Sequence, residues 1–419
     1  MSFKVRPESA AILTAEDHSV LHAIYQHRCL NEEQLSRFFY SGLDDGKNGY
    51  TLDRINALIE AGFIESHEYK PDRWVYFLTY TGVQYVRDTA DRSMYRILDR
   101  SGRKKYEATA GELLLPNSML DHQCRLNDLA LNIISECKLD PSCYKDNLFA
   151  SNFTYAQPDG VIELPEFDLF LEMDMGHERS RALREKWEHY RAYFRSRDYQ
   201  LHRNKKVIVL FATENVKNIV IRRRTVVRSL AQYSMDLIGP MFDCYIGPNK
   251  QVLTAAKNLI VGGSPEFEQA KALLKKVHGC RPGWSKIINA SDWGDGHFWK
   301  IPGGGTFVLV DGYSRPMSEL KRIAYFGQTL ASLRKTPYQN LRLLVLVPGE
   351  IDIFRDLLGA ELQPEAVVHY VTLERLQKDT FHEALFVFDQ LGNRYHFAQP
   401  DLKELCYEKQ QFRFRQKYK

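Results

Sequence analysis

The sequence predicts an α/β multidomain protein. Three observations carry that expectation. Three amphipathic helices are followed by two short strands before residue 80. A helix, strands, helix, strand order follows from residue 117. The strand–helix–strand part of that order then recurs between Thr306 and Leu358. A chain of 419 residues, 44% hydrophobic and 26% charged, is too long for one core and apolar enough to fold. The limits expected are 10–88 for the helical module, 89–116 for a connector, 117–255 for an α/β domain and 256–419 for a second one.

The first helix opens at Thr14-Ala-Glu-Asp17, a capping-box pattern, and runs to about Arg28 with Val20, Leu21, Ile24 and Tyr25 on its apolar face. Asn31 caps a second helix, with Gln34 three residues on and Leu35, Phe38 and Phe39 inward. After the break "SGLDDGKNG", the stretch "YTLDRINALIEAG" places Leu52, Ile55, Leu58 and Ile59 at helical spacing, and Gly62 ends it. "FIESHEY", the turn "KPDR" and "WVYFLTY" form a hairpin, and "TYTG" starts a further helix. Three helices and a two-stranded ribbon make a winged helix-turn-helix. In that arrangement the third helix enters the major groove and the ribbon touches backbone or minor groove. Lys47, Tyr50, Thr51 and Arg54 are the positions left to face double-stranded DNA, with Arg54 reading guanine or gripping a phosphate, and Lys70 and Arg73 lie on the wing. A protein-binding role for the same module stays open.

The net charge of +4 is mild, but its distribution is uneven. Basic residues crowd Asp91–Tyr106 ("DRSMYRILDRSGRKKY"), "HRNKK", "RRRTVVR" and the closing "KQQFRFRQKYK". Arg96, Arg100, Arg103, Lys104 and Lys105 make the connector a candidate phosphate contact, read as a linker or a short helix-bearing arm.

From Asn117 a helix buries Leu120, Leu126, Leu129, Leu131 and Ile133. Strand-like runs "NFTYAQPDG", "FDLFLEMDM" and "KKVIVLFAT" follow, with the helix "RSRALREKWEHYRAYFRSR" between the last two. This is the order of a PD-(D/E)XK nuclease core. Alternation on the middle strand sets Asp168, Phe170, Glu172 and Asp174 on one face, so Glu172 and Asp174 can converge with Asp159. Carboxylates are what Mg2+ or Mn2+ prefers, which makes Asp159, Glu172 and Asp174 candidate metal ligands. The strand lacks the lysine of Glu-x-Lys, because Asp174 stands there. Lys186 on the next helix is either a relocated catalytic cation or a structural partner of Glu172 or Asp174. Little or no cleavage is the expectation, with no cofactor unless the site is active.

The segment Thr306–Leu358 repeats this pattern in degenerate form. Asp311 echoes Asp174 and Lys321 echoes Lys186, but Leu309 stands where Glu172 would be, so this copy cannot hold a metal in the same way. "ALFVFDQLGNRYHF" reads as a hairpin and "GDGHFWKIPGGG" as turn chemistry. Seven cysteines occur singly with no Cys-x-x-Cys pair, so neither a zinc ribbon nor a redox motif is supported and reduced, mostly buried thiols are expected. No apolar run suggests a signal peptide or membrane span, so a cytoplasmic location is expected.

The elements "LIEAGFI…YFLTYTG" and "H…L…PDG…FLEMDMG…REKWEHYR" together resemble the replication-relaxation family, over about residues 10–230. Its members come from bacterial plasmids, integrative elements and phages, and some are called mobilisation protein C-like. Asp159, Glu172, Asp174, Lys186 and Tyr190 match its motif. The resemblance implies DNA binding in replication, relaxation or transfer, alongside other mobile-element proteins. Three functions remain: a DNA-binding accessory protein with an inactive nuclease-like core, a metal-dependent DNA endonuclease, and a transcriptional regulator whose α/β region forms a homodimer or senses a ligand.

Overall fold

The computed structural model describes residues 13–41, 49–90, 96–98, 104–148, 155–176, 179–197, 199, 205–214, 218–283, 298–302, 305–333, 341–349, 357, 362, 368–388 and 394–396. The chain is mixed α/β and divides into two compact units, residues 1–175 with 192–205, and residues 176–191 with 206–419.

The first unit starts with α1 (Ala15–His27), closed at its N-terminus by the expected capping box. The Asp17 amide donates to the Thr14 hydroxyl, and the Thr14 amide donates back to the Asp17 carboxylate. The same device, Asn31 with Gln34, opens α2 (Glu32–Phe38) after the two-residue strand β1 (Leu30–Asn31). Helix α3 (Gly49–Glu60) ends at Gly62, which takes a left-handed φ of 75° that glycine adopts without strain. Strands β2 (Ile64–Lys70) and β3 (Arg73–Leu78) pair antiparallel, and β1 joins the other side of β3. Val20, Leu21, Ile24, Tyr25, Leu35, Ile55, Leu58 and Phe63 fuse these elements into one core.

Thr79 caps α4 (Tyr80–Thr89) through its hydroxyl, which accepts from the Gly82 amide. Gly82 explains the glycine of "TYTG": a Cβ there would lie 2.1 Å from the Phe63 carbonyl oxygen. That oxygen already accepts from the Thr79 amide at 3.0 Å, so it is not free to move aside. Gly82→Ala is therefore expected to cost about 1–3 kcal/mol or more through overpacking. Urea unfolding checks it, and an unchanged midpoint would contradict the close approach.

The connector bears a short helix, Ala110–Leu113, capped by Thr109, as the expected helix-bearing arm does, and it also carries two strands. Arg96–Leu98 (β4) and Lys104–Glu107 (β5) pair antiparallel as a two-stranded ribbon. Helix α5 (Asn117–Cys137) then buries all five expected apolar positions. Its Asn127 donates to the Cys29 carbonyl at 2.6 Å and Gln34 donates to the Cys124 carbonyl at 2.7 Å, so α5 packs with the N-terminal helices. Strands β6 (Tyr144–Asp146), β7 (Gly160–Glu163) and β8 (Phe167–Asp174) form an antiparallel run.

Helix α6 (Ser180–Arg195) spans the change from one unit to the other in sequence. In the second unit, β9 (Lys206–Thr213) and β10 (Phe242–Pro248) pair parallel across α7 (Ile219–Ser234). Trp187 of α6 is fully buried, with its ring centroid 5.8 Å from that of Phe211. After α8 (Asn249–Val261) and α9 (Pro265–Lys276) comes a sheet ordered β11-β12-β13-β14-β15-β16-β17. These strands are Arg281–Pro282, Phe298–Lys300, Thr306–Asp311, Leu341–Leu346, His369–Val371, Phe386–Phe388 and Arg394–His396. The Phe298–Lys300 strand corrects the expectation of turn chemistry across "GDGHFWKIPGGG". Strands β13 and β14 pair parallel, and the helical stretch between them divides at Tyr325 into α10 (Met317–Ala324) and α11 (Phe326–Leu333). Strands β16 and β17 are the expected antiparallel pair, and their connecting Leu391-Gly392-Asn393 lies outside the described residues.

Candidate nucleic-acid interface and carboxylate cluster

Strand β8 is buried from Asp168 to Asp174, with Asp168, Glu172 and Asp174 each 1% exposed. It is therefore no solvated edge. The Gly160↔Leu171 pair places Asp159 opposite Glu172 one step further along the register. Asp159 is already committed: its Oδ2 accepts from the Met173 amide at 2.7 Å and lies 3.2 Å from Nε2 of His122 on α5. Among the described residues, no three His, Cys, Asp or Glu side chains are grouped to hold a metal ion. Lys186 stands over the Phe211 ring, with Nζ 5.3 Å from its centroid, a cation–π contact inside the second unit. The buried Tyr190 ring stacks on Phe242 of β10, with centroids 6.0 Å apart.

The glycine of "PDG" also has a local cause. A Cβ on Gly160 would lie 2.8 Å from the Tyr144 ring, which in turn stacks on His27 at 4.4 Å. Beside it, Asp146 is fully buried and accepts from Gln123 at 2.9 Å and from the Leu148 amide at 3.0 Å, with Arg28 at 3.9 Å. Burial pushes its carboxyl up to about 6, with Arg28 opposing the rise. A folded value above the unfolded one means Asp146 favours folding fully below about pH 4, and this contribution is lost as pH rises through about 6. Asp146→Asn should thus shrink the stability difference between pH 4 and pH 7 by roughly 2–3 kcal/mol. Urea titrations of both proteins at the two pH values check this. An identical pH dependence would show that Asp146 is not the titrating group. Sequence reasoning does not single out His122, Gln123 and Asp146 as site residues. The available signal is "DHQCRLND", a polar cluster on an otherwise apolar helix.

The expected DNA-reading positions separate into three groups. Arg54 is a correction: its guanidinium is bound to the buried Asp17 carboxylate, and its side chain is only 17% exposed. Thr51 is a second correction, being fully buried. Tyr50 is half-buried against the core, edge-on to Tyr40. The exposed positions of α3 are instead Gly49, Leu52, Asp53, Asn56 and Glu60. On the hairpin, Lys70 pairs with Asp121 of α5, while Arg73 is exposed beside Trp74, itself 41% exposed. Lys47, Arg100 and Arg103 lie outside the described residues, and Lys104 and Lys105 are placed on strand β5. The echo residues of the second unit have structural surroundings. Lys321 donates to the Met235 and Ile238 carbonyls at 3.1 and 2.7 Å, and burial raises the Asp311 carboxyl to about 6.

The class this defines is a mixed α/β protein with an N-terminal helix-and-hairpin module followed by a helix and an antiparallel strand run. Residues 21–210 match the model of the replication-relaxation family, so this segment of the chain is similar to that family. Neither the curated proteins nor the solved structures compared with the chain gave a match. Among the described residues no helix is long and apolar enough to cross a membrane.

Proposed function

We propose that the protein is a DNA-binding accessory protein of a bacterial mobile element, acting in replication, relaxation or transfer. In this proposal the N-terminal module is a winged helix-turn-helix, and the following strands are a PD-(D/E)XK-like core that does not cut DNA. The observation that carries the DNA-binding part is the ribbon β4–β5, which puts two lysines on a strand inside one of the basic runs of the chain. Two-stranded ribbons fit DNA grooves, and lysine and arginine on such a ribbon bind phosphate without reading sequence. With Arg54 and Thr51 used internally, affinity rests on phosphate contacts from the ribbon and Arg73 rather than on base contacts from α3. The non-cutting part is supported by the Asp159 oxygen held by the Met173 amide and His122.

The test is fluorescence anisotropy with duplex DNA between 50 and 200 mM salt. Affinity should fall with a log–log slope of roughly 0.9 per phosphate contact, and an absence of binding at low salt would reject the proposal. A protein partner for the same module is supported by a separate observation. The exposed α3 positions include Asp53 and Glu60, which a phosphate backbone would repel, and Trp74, a residue type enriched at interface hot spots, stands exposed on the hairpin. Other replication or transfer proteins of the element are the partners that this would serve.

A further inference from the structure

Cys29, between α1 and β1, is fully buried, and Cys124, on α5, is 3% exposed. Both belong to one small apolar cluster with Val75, Phe77, Leu115 and Leu120. Their side chains pack together in that cluster, and each thiol perturbs the other's acidity. Hydrogen bonds to the backbone hold them there as well. Asn127, one turn beyond Cys124 on the same helix, donates to the Cys29 carbonyl at 2.6 Å, and Gln123 donates to the His27 carbonyl at 3.3 Å. Two thiols fixed against each other from distant parts of the chain are what disulfide formation requires, since the bond tolerates little error in position.

We propose that Cys29 and Cys124 are a modification site at which a peroxide-class oxidant forms a reversible disulfide. The Cys124 sulfur attacks one peroxide oxygen, the O–O bond breaks, and the displaced oxygen leaves as water, giving a sulfenic acid. The Cys29 sulfur then attacks the Cys124 sulfur. The S–S bond forms, the S–O bond breaks, and a second water leaves with the thiol proton. Two thiols and one hydrogen peroxide thus become one disulfide and two waters, with two electrons passing to the peroxide. Cys124 is the attacking group because it is the less buried of the two. The neighbouring Cys29 also holds its thiol below the usual value, against the effect of burial. Hydrogen peroxide is small enough to reach the cluster by local opening. The bond would tie the end of α1 to α5 and restrict any separation of the N-terminal helices from that helix.

The experiment treats the full-length native protein with hydrogen peroxide, blocks remaining thiols with an alkylating agent, and maps peptides by mass spectrometry. The expected result is a Cys29–Cys124 peptide pair lighter by two hydrogens, which disappears on treatment with dithiothreitol. Cys29→Ser should leave Cys124 as a sulfenic acid that dimedone captures. If Cys29 and Cys124 stay alkylatable while the half-buried Cys137 and Cys143 oxidise, the proposal is overturned. It is equally overturned if Cys124 proceeds to sulfinic acid in the wild-type chain with no cross-link. No dimedone adduct in the folded Cys29→Ser variant would contradict the order of attack.

Discussion

Arg54→Ala is expected to lower the stability of the N-terminal module by about 3–5 kcal/mol, because it leaves a buried carboxylate without its counter-charge. Asp17 is fully buried, and its oxygens accept from the Thr14 amide at 2.8 Å, the Tyr40 hydroxyl at 2.9 Å and Arg54. Burial alone would raise its carboxyl. The bonds from Arg54, Thr14 and Tyr40 outweigh burial, and the folded value lies below the ordinary one. A depressed carboxylate contributes stability that is present above the unfolded pKa of about 4 and is lost as pH falls through the folded value. Arg54→Ala should therefore cost most near neutral pH and progressively less under acid. Urea unfolding at pH 7 and at acid pH measures both effects. A variant that keeps its stability but loses DNA affinity would return Arg54 to the exposed, base-reading role expected from the sequence.

If the protein binds DNA as proposed, neutralising Arg96, Arg100, Arg103, Lys104 and Lys105 together should flatten the salt dependence of that binding by up to about 4.5 in log–log slope, five contacts at about 0.9 each. The loss should be the same for unrelated duplexes, since phosphate contacts carry no sequence information. Anisotropy titrations of the wild type and the five-site variant over the same salt range decide it. A slope identical to wild type would show that the basic run is only a solvated face.

Features set by close neighbours along the chain are legible in the sequence. The capping boxes at Thr14 and Asn31 and the stop at Gly62 depend on three or four consecutive residues, and each stands where the pattern puts it. The two corrections on α3 have a long-range cause. Helical spacing gives the apolar stripe, but whether Arg54 faces solvent depends on Asp17, which is far from it in sequence and already fixed by its own cap. Ribbon β4–β5 leaves little trace because three- and four-residue strands are too short to show alternation, and strand β12 is hidden beside its glycines. The carboxylates are half-legible. Period two identifies Glu172 and Asp174 as sharing a face, yet their deep burial and the Asp159–His122 contact depend on what packs over the strand. Likewise Gly160 is a simple turn residue in sequence, and only the Tyr144 ring explains why a side chain is excluded there.

The protein is proposed to bind DNA without cutting it. The most direct measurement incubates supercoiled plasmid DNA with the full-length protein and Mg2+ or Mn2+, then separates the products by gel before and after removing the protein. The prediction is retarded plasmid before deproteinisation and fully supercoiled plasmid after it. Nicked or linear DNA that forms with the wild type and is lost in a folded Glu172→Gln variant would contradict the proposal and make the protein an endonuclease.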